Sequence, residues 1–403
     1  MINILHTSDW HLGKKLYKYE RRQEHELFLE WLESTIEKEK IDVLLVAGDI
    51  FDSPTPPNYA QKMFYDFIYR LEKFPDLTTV VIAGNHDSAS LLDIPKYFFE
   101  RARCHLHSYM YEDPQRNEIF IEKNDIKIGI KTLPYFRNFE LINMLNDQSV
   151  EEFFQNRFSE WSEGQIDHRI LVAHHGFGVY SSAGSEHAIF LSGLDYFPLE
   201  WIKPNFDYAA LGHIHKKQTL CEEPPIIYPG SPIPLRFSES NKKTVSLFKV
   251  GKTQRFQKYI DIPVFRKLVR VKGDQTDYLR KLAEQLESID PLDLDAYLEV
   301  EITLKEAVSG MADNIRQFIE KKNIELVSYR PIVEFYDEEK SDLNSLDQLN
   351  VFELFEQYYL KKFPDVENIQ TEILEEFKTL VEETRQISEK DVDLVNGEEN
   401  ENS

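Results

Sequence analysis

The chain is poor in cysteine, with Cys104 and Cys221 the only two in 403 residues. That excludes a disulfide framework and a cysteine-rich zinc site, and it suits a reducing compartment. Long apolar runs are missing as well. None approaches the roughly 20 residues that a membrane helix needs, so no membrane partner is expected. The first residues, Met1–Asp9, carry neither a basic n-region nor a long apolar h-region, which predicts no secretory signal and a cytoplasmic location. No Gly-x-x-x-x-Gly-Lys-Ser/Thr loop occurs, so any dependence on ATP has to come from another chain. Positive charge is scarce too: 47 basic residues face 71 acidic ones, for a net of −24. Taken whole, that sign disfavours nucleic acid, whose phosphates bind cations.

What is present is ample apolar material. Apolar residues make up 41% and aromatic residues 13%, which builds a sizeable core and excludes whole-chain disorder. The length predicts two to three domains at roughly 150 residues each. The charge is also uneven. Asp337–Ser403 holds 20 acidic and 6 basic residues, −14 of the −24, leaving −10 for the first 336 residues. Local basic clusters survive in that first part, at Lys14, Lys15, Lys18, Arg21 and Arg22 and at Lys216 and Lys217.

Apolar, β-branched runs of strand length occur at Ile2–Leu5, Ile41–Ala47, Thr78–Ala83, Ile126–Ile130, Ile170–Ala173 and Tyr208–Leu211. Helical stripes at Glu24–Lys38 and Tyr59–Leu71 lie between the early ones. Strand alternating with helix predicts α/β layering. A second block predicts a small α+β domain: strand Lys267–Val271, helix Asp277–Leu286, strand Tyr297–Leu304, helix Met311–Lys321 and strand Glu325–Phe335. A third block is acidic and helical. Val351, Leu354, Phe355, Tyr358 and Tyr359 recur at three-to-four spacing, as do Ile373, Phe377, Leu380 and Val381. Two such stripes dock on their own domain or on a partner helix. The expected organisation is 1–262, 263–337, 345–388 and a disordered acidic tail at 389–403.

The chemistry lies just beyond the strands: Asp9-Trp10-His11, Gly48-Asp49 with Asp52, Gly84-Asn85-His86-Asp87, His174-His175-Gly176 and Gly212-His213-Ile214-His215. Five runs each end in metal-capable side chains. In an open α/β sheet the carboxyl ends of the strands share one edge, where ligands bind. Asp-x-His and His-x-His place two side chains on one side of an extended segment. Oxygen and imidazole donors without thiolate suit manganese, iron or zinc. A carboxylate can bridge two cations, and two metals about 3.5–4 Å apart clamp both oxygens of a phosphoryl displacement. Any one of these motifs alone is an ordinary turn, and His105-x-His107 reads as structural because no cluster surrounds it.

Together the motifs resemble the calcineurin-like metallophosphoesterases over residues 1–240. Within them the chain resembles the Mre-type nucleases of the bacterial SbcD branch. That likeness rests on HTSDWHLGK at 6–14, VAGDIFDSPTPP at 46–57, GNHDS at 84–88, GSE at 184–186, GHIHKKQ at 212–218 and YPGSPIPLRFSE at 228–239.

The resemblance implies a four-layer α/β/β/α sandwich with a small α+β capping domain and C-terminal helices. It implies two Mn2+ ions, with Mg2+ or another divalent ion as substitutes. One metal would take Asp9, His11, Asp49 and His215, and the other Asp49, Asn85, His174 and His213. His174 is preferred to His175 because it directly ends its strand. His86 would face the scissile phosphate rather than a metal. Asp52 stands where archaeal and eukaryotic relatives carry a second histidine, which fits the bacterial branch and leaves its role open. The implied activity is exo- and endonucleolytic cleavage of DNA ends and hairpins. The implied assembly is a homodimer within a heterotetramer, associated with the nucleoid. Its partner is an SMC-like ATPase of the SbcC type, which would cover Val351, Leu354, Phe355, Tyr358 and Phe377. Lys14, Lys15, Arg21 and Arg22, next to the first metal motif, are expected to contact DNA phosphates. The alternatives are a small-molecule phosphodiesterase or phosphatase on the same core, and a scaffold that has lost its metals.

Overall fold

A computed structural model describes residues 1–95, 103–182, 196–287, 294–305, 310–320 and 322–333, with Phe99, Val308, Phe355, Tyr359 and Ile373 as single positions. The chain divides into two units, 1–334 and 335–403.

Two six-stranded mixed sheets form the centre of the first unit. In one, the parallel run Ile2–Thr7, Val43–Ala47, Thr78–Ile82 and Cys104–His107 is extended by Lys243–Val250 and Arg255–Ile262, which pair antiparallel. In the other, Ile126–Leu133, His168–His174, Tyr208–Gly212 and Pro225–Tyr228 run parallel, and the antiparallel strands Glu118–Lys123 and Gln218–Glu222 close the edges. The strand alternation decides which side chain enters which layer. Val43 and Leu45 point between the sheets, where they join Ile4, Val80, Ile130, Ile170, Val172 and Ala210. Leu44 and Val46 point outward, onto the helices Arg22–Glu39 and Asn58–Leu71. The outer face of the second sheet is covered by Asn138–Met144 and Val150–Ser159, through Leu141, Phe154 and Phe158. This is the expected α/β/β/α sandwich. Its central strands are buried on both faces, and each such side chain contributes about 1.5–3 kcal/mol.

Residues from Leu268 onward form a three-stranded parallel sheet, Leu268–Asp274, Ala296–Leu304 and Ile324–Val333. Its connections carry the helices Tyr278–Glu287 and Met311–Ile319, and Leu282, Leu298, Val300 and Ile315 fill its own core. This cap rests on the segment expected to be a DNA-binding loop. That segment is a hairpin pairing Lys15–Leu16 with Tyr19–Glu20. Leu16 packs on Leu268 and Tyr297, and the Tyr17 hydroxyl contacts Glu299 and Arg330.

Among the partner-docking positions, Val351, Leu354, Tyr358 and Phe377 lie outside the described residues, and the Phe355 ring lies 6.0 Å from that of Tyr359. No helix among the described residues is long and apolar enough to cross a membrane.

Candidate metal centre

The strand ends of both sheets meet at one edge, and the motif side chains converge there. Asp9, His11, Asp49, His174, His213 and His215 are all buried. The backbone makes the convergence possible at some strain. Asp9, His11, Asp49 and His213 have φ of +55°, +48°, +51° and +107°, a region that non-glycine residues rarely adopt outside functional sites. Two glycines make room. A Cβ on Gly48, whose φ is +84°, would lie 2.2 Å from His174 Nδ1, and one on Gly84 would lie 2.2 Å from Asp49 Oδ1.

Asp49 sits in the middle. Its Oδ2 is 3.5 Å from His11 Nε2 and its Oδ1 is 3.4 Å from His174 Nε2. On one side, donor atoms of Asp9, His11, Asp49 and His215 all lie within 4.8 Å of one another, and His11 Nε2 faces His215 Nε2 at 3.0 Å. On the other side, Asn85 Oδ1 lies 3.0 Å from His174 Nε2 and 3.1 Å from His213 Nδ1. His175, adjacent in sequence, turns away. Its Nε2 is 3.3 Å from the Pro134 carbonyl and its ring packs on Phe136.

Burial and the charges of neighbouring side chains set the electrostatics of the site. Burial pushes the Asp9 carboxyl up to about 6 against the pull of His174. Burial would also raise Asp49, yet His174 and His11 beside it hold it well below the usual carboxylate range. Burial opposes a charge on His174, and Asp49 overcomes it, raising the imidazole to about 9. Burial lowers His213 to about 3, and His215 well below its ordinary value. Neutral imidazoles are the form that ligates metal. Among the described residues, His213 Nε2 is buried with no hydrogen-bond partner, which leaves one imidazole nitrogen of the set available to a cation. The donor set therefore fits divalent metal.

His86 stands beside this group. Its backbone N–H donates to Asp49 Oδ1 at 2.8 Å, its Nδ1 lies 2.9 Å from the Asp52 carbonyl, and its ring meets that of His11 edge-on at 4.9 Å. Burial lowers its pKa.

Sequence reasoning left two carboxylates without a role, and the fold gives each one. Asp87 accepts from the backbone of Ile50, Phe51 and Gly84 at 2.8–3.0 Å, tying the second motif to the third. Asp52 lies 3.2 Å from His11 Nδ1 and 2.9 Å from Lys14 Nζ. The signal was present in the spacing of both acids, one behind Asn85-His86 and one three residues after Asp49, but it names no partner.

Of the four residues expected to contact DNA, Arg21 needs correction. Arg21 is fully buried, paired with Glu24 at 2.5 Å and donating to the Pro234 carbonyl at 2.9 Å, so it is out of reach of DNA. Arg22 pairs with Glu26 at 2.8 Å and Lys15 lies 3.8 Å from Glu20.

Residues 2–217 match the family model of calcineurin-like phosphoesterases. Residues 264–363 match one described as the type 5 capsule protein repressor C-terminal domain. The SbcD subunit of the SbcCD nuclease of Escherichia coli K12 is 30% identical over 350 residues, 82% of this chain and 85% of the relative. That of Bacillus subtilis 168 is 26% identical over 376 residues, 90% and 93% of the two chains. The chain belongs to the calcineurin-like phosphoesterases, in the family of the SbcD nucleases.

Proposed function

We propose that this chain is the nuclease subunit of an SbcCD-type complex, a metal-dependent phosphodiesterase that cuts DNA at double-strand ends and hairpins in repair, recombination and replication. The observation that carries the reading is the meeting of five strand-end motifs around one buried carboxylate, Asp49, in a chain whose relatives are named as nuclease subunits of SbcCD.

Asp9, His11, Asp49 and His215 would hold one divalent cation, and Asp49, Asn85, His174 and His213 a second. Manganese suits this oxygen and imidazole set. Bound divalent cations lower the pKa of water and neutralise charge on phosphate oxygens. The chain supplies the geometry. Asp49 keeps the two ligand sets adjacent, and the strained turns hold the donors ready. His86, whose Nδ1 faces the Asp52 carbonyl at 2.9 Å, orients the scissile phosphate. Once the bound phosphate's charge makes it an imidazolium, it can release the Nε2 proton to the leaving oxygen and return to the neutral Nδ1–H form that its buried position favours.

The rest of the reading follows the relatives' name. Residues 1–262 are the nuclease domain and 263–337 the cap. Segment 345–388 is the dock for an SbcC-type, SMC-like ATPase, with Val351, Leu354, Phe355, Tyr358 and Phe377 as its apolar contacts and 389–403 as an acidic tail. The working particle is a heterotetramer containing two copies of this chain, at the nucleoid.

The decisive experiment is cleavage of a hairpin oligonucleotide with manganese, with and without the partner ATPase. Cutting that needs manganese and is enhanced by the ATPase is expected. Hydrolysis of bis(p-nitrophenyl) phosphate with no cutting of any DNA would make the chain a small-molecule phosphodiesterase instead.

A further inference from the structure

Two basic clusters flank the metal motifs in the sequence, and the fold treats them in opposite ways. In the first, Lys14, Lys15, Arg21 and Arg22 each face a carboxylate within 4 Å, namely Asp52, Glu20, Glu24 and Glu26, and among the described residues only Lys18, 5.3 Å over the Tyr19 ring, does not. In the second, Lys216 donates to the neutral Ser181 Oγ at 3.0 Å, and Lys217 lies 4.5 Å over the Tyr259 ring. Lys242 joins them from the turn before the strand Lys243–Val250, its backbone N–H donating to Ser240 Oγ at 3.1 Å. All three lysines are exposed. Among the described residues, none of them has an ion-pair partner.

These three lysines border one cavity of about 430 Å3, and His215 is part of its wall. Its floor is neutral and fixed. Lys243 is buried against Glu239 at 2.6 Å, and its Nζ also reaches Ser231 Oγ at 2.9 Å. Lys243 therefore adds no free charge, whereas Lys216, Lys217 and Lys242 add three positive charges on a strongly acidic chain. Hydroxyls of Ser182, Ser238 and Ser240 also line the cavity, and among the described lining residues there is no Phe, Tyr or Trp. Ammonium and hydroxyl donors without a stacking platform recognise phosphate and sugar rather than bases.

We propose that Lys216, Lys217 and Lys242 hold phosphates of the DNA strand where it continues past the scissile phosphate on the His215 side of the centre, and that the Lys14–Arg22 hairpin does not serve this purpose. The proposal rests on the nuclease reading above. It assigns the hairpin a different job, carrying the cap through Leu16 and Tyr17.

The test is the salt dependence of binding between the full chain and a fluorescent hairpin oligonucleotide, followed by anisotropy in EDTA. Each phosphate that is no longer held flattens the log–log slope by about 0.7–0.9. The triple variant Lys216→Ala, Lys217→Ala, Lys242→Ala should flatten the slope by about 2 to 3 and weaken binding at least tenfold at low salt. The Lys→Arg triple should restore both. The triple Lys14→Ala, Lys15→Ala, Arg22→Ala should change the slope by less than about 0.5. Retained cooperative thermal unfolding checks the fold of every variant. An unchanged slope in the first triple, or a larger change in the second, overturns the proposal. So does loss of inhibition by inorganic phosphate with DNA binding intact, which would assign the cavity to a released anion. A wild-type chain that binds DNA on this slope but never cuts it defeats the nuclease reading and leaves the phosphate track standing.

Discussion

The two halves of the centre are braced by different means. Around His11 and His215 the braces include side chains from neighbouring turns. Asp52 lies 3.2 Å from His11 Nδ1 and is itself held by Lys14, and the buried Lys243 ammonium lies 3.4 Å from the His215 carbonyl. Around His174 the brace is the sheet. His174 ends its strand in register with Gly212, and its Nδ1 lies 2.8 Å from the Ala47 carbonyl of the facing sheet. A backbone carbonyl inside a sandwich cannot rotate away, whereas the partly exposed Asp52 carboxylate can. The half built on His174 is therefore set by the fold, and the half built on His11 is adjustable. Between them, Asp49 belongs to both.

Breaking the shared residue should have the largest effect. Asp49→Ala removes a donor from both halves, so manganese binding should weaken by at least about 100-fold at each and DNA cleavage should vanish. Calorimetry decides this, and one equivalent bound at near wild-type affinity would mean that the halves do not share a carboxylate. His86→Ala comes next. It should lower kcat by about 10²- to 10⁴-fold, the usual worth of a proton donor, and leave both manganese equivalents in place. Lost metal in that variant would move His86 into the ligand set. Gly48→Ala strikes the sheet-braced half, because its new Cβ would fall on His174 Nδ1 and its φ is +84°. One manganese equivalent should weaken about 10- to 100-fold, with about 1–3 kcal/mol of stability lost to strain. Equal weakening of both equivalents would erase the distinction between the halves.

The sequence made the sheet-braced half easier to read than the adjustable one, for a physical reason. Strand ends announce themselves, since a β-branched run followed by Gly-Asp, Gly-Asn-His or Gly-His fixes both place and direction. The parallel strands Ile2–Thr7, Val43–Ala47, Thr78–Ile82, Ile126–Leu133, His168–His174 and Tyr208–Gly212 were legible on that basis. Cys104–His107 was not, and the preference for His174 over His175 came from the family resemblance. The return strands Lys243–Val250 and Arg255–Ile262 were not, because no motif ends them and charged residues interrupt their pattern. The helix Val150–Ser159 was overlooked although Ser149 and Glu152 form a capping box at its start. Charge pairing was hidden altogether. Arg21 and Glu24 stand three apart on a surface-like stretch, and the distant Pro234 carbonyl, 2.9 Å from Arg21, and Arg266, 2.9 Å from Glu24, turn that stretch into an interior. The left-handed φ of Asp9, His11, Asp49 and His213 leaves no mark in composition either, because it is the surrounding packing that enforces it.

The smallest expected effect is the one that probes the adjustable half alone. Asp52 touches no proposed ligand position except through His11, so it acts as a positioning residue. Asp52→Ala frees the His11 ring and releases Lys14. One manganese equivalent should then weaken about tenfold, the lower end for a residue that orients a ligand, while the equivalent at His174 and Asn85 stays unchanged. Asp52→Asn keeps an oxygen acceptor at the same reach and should recover most of that loss. A general loss of folding would lower both equivalents together, and Asn would rescue neither. A selective loss that Asn rescues is the signature of orientation. If Asp52→Ala leaves both affinities untouched, His11 is held by its own turn, and the contrast between a side-chain-braced half and a sheet-braced half no longer stands.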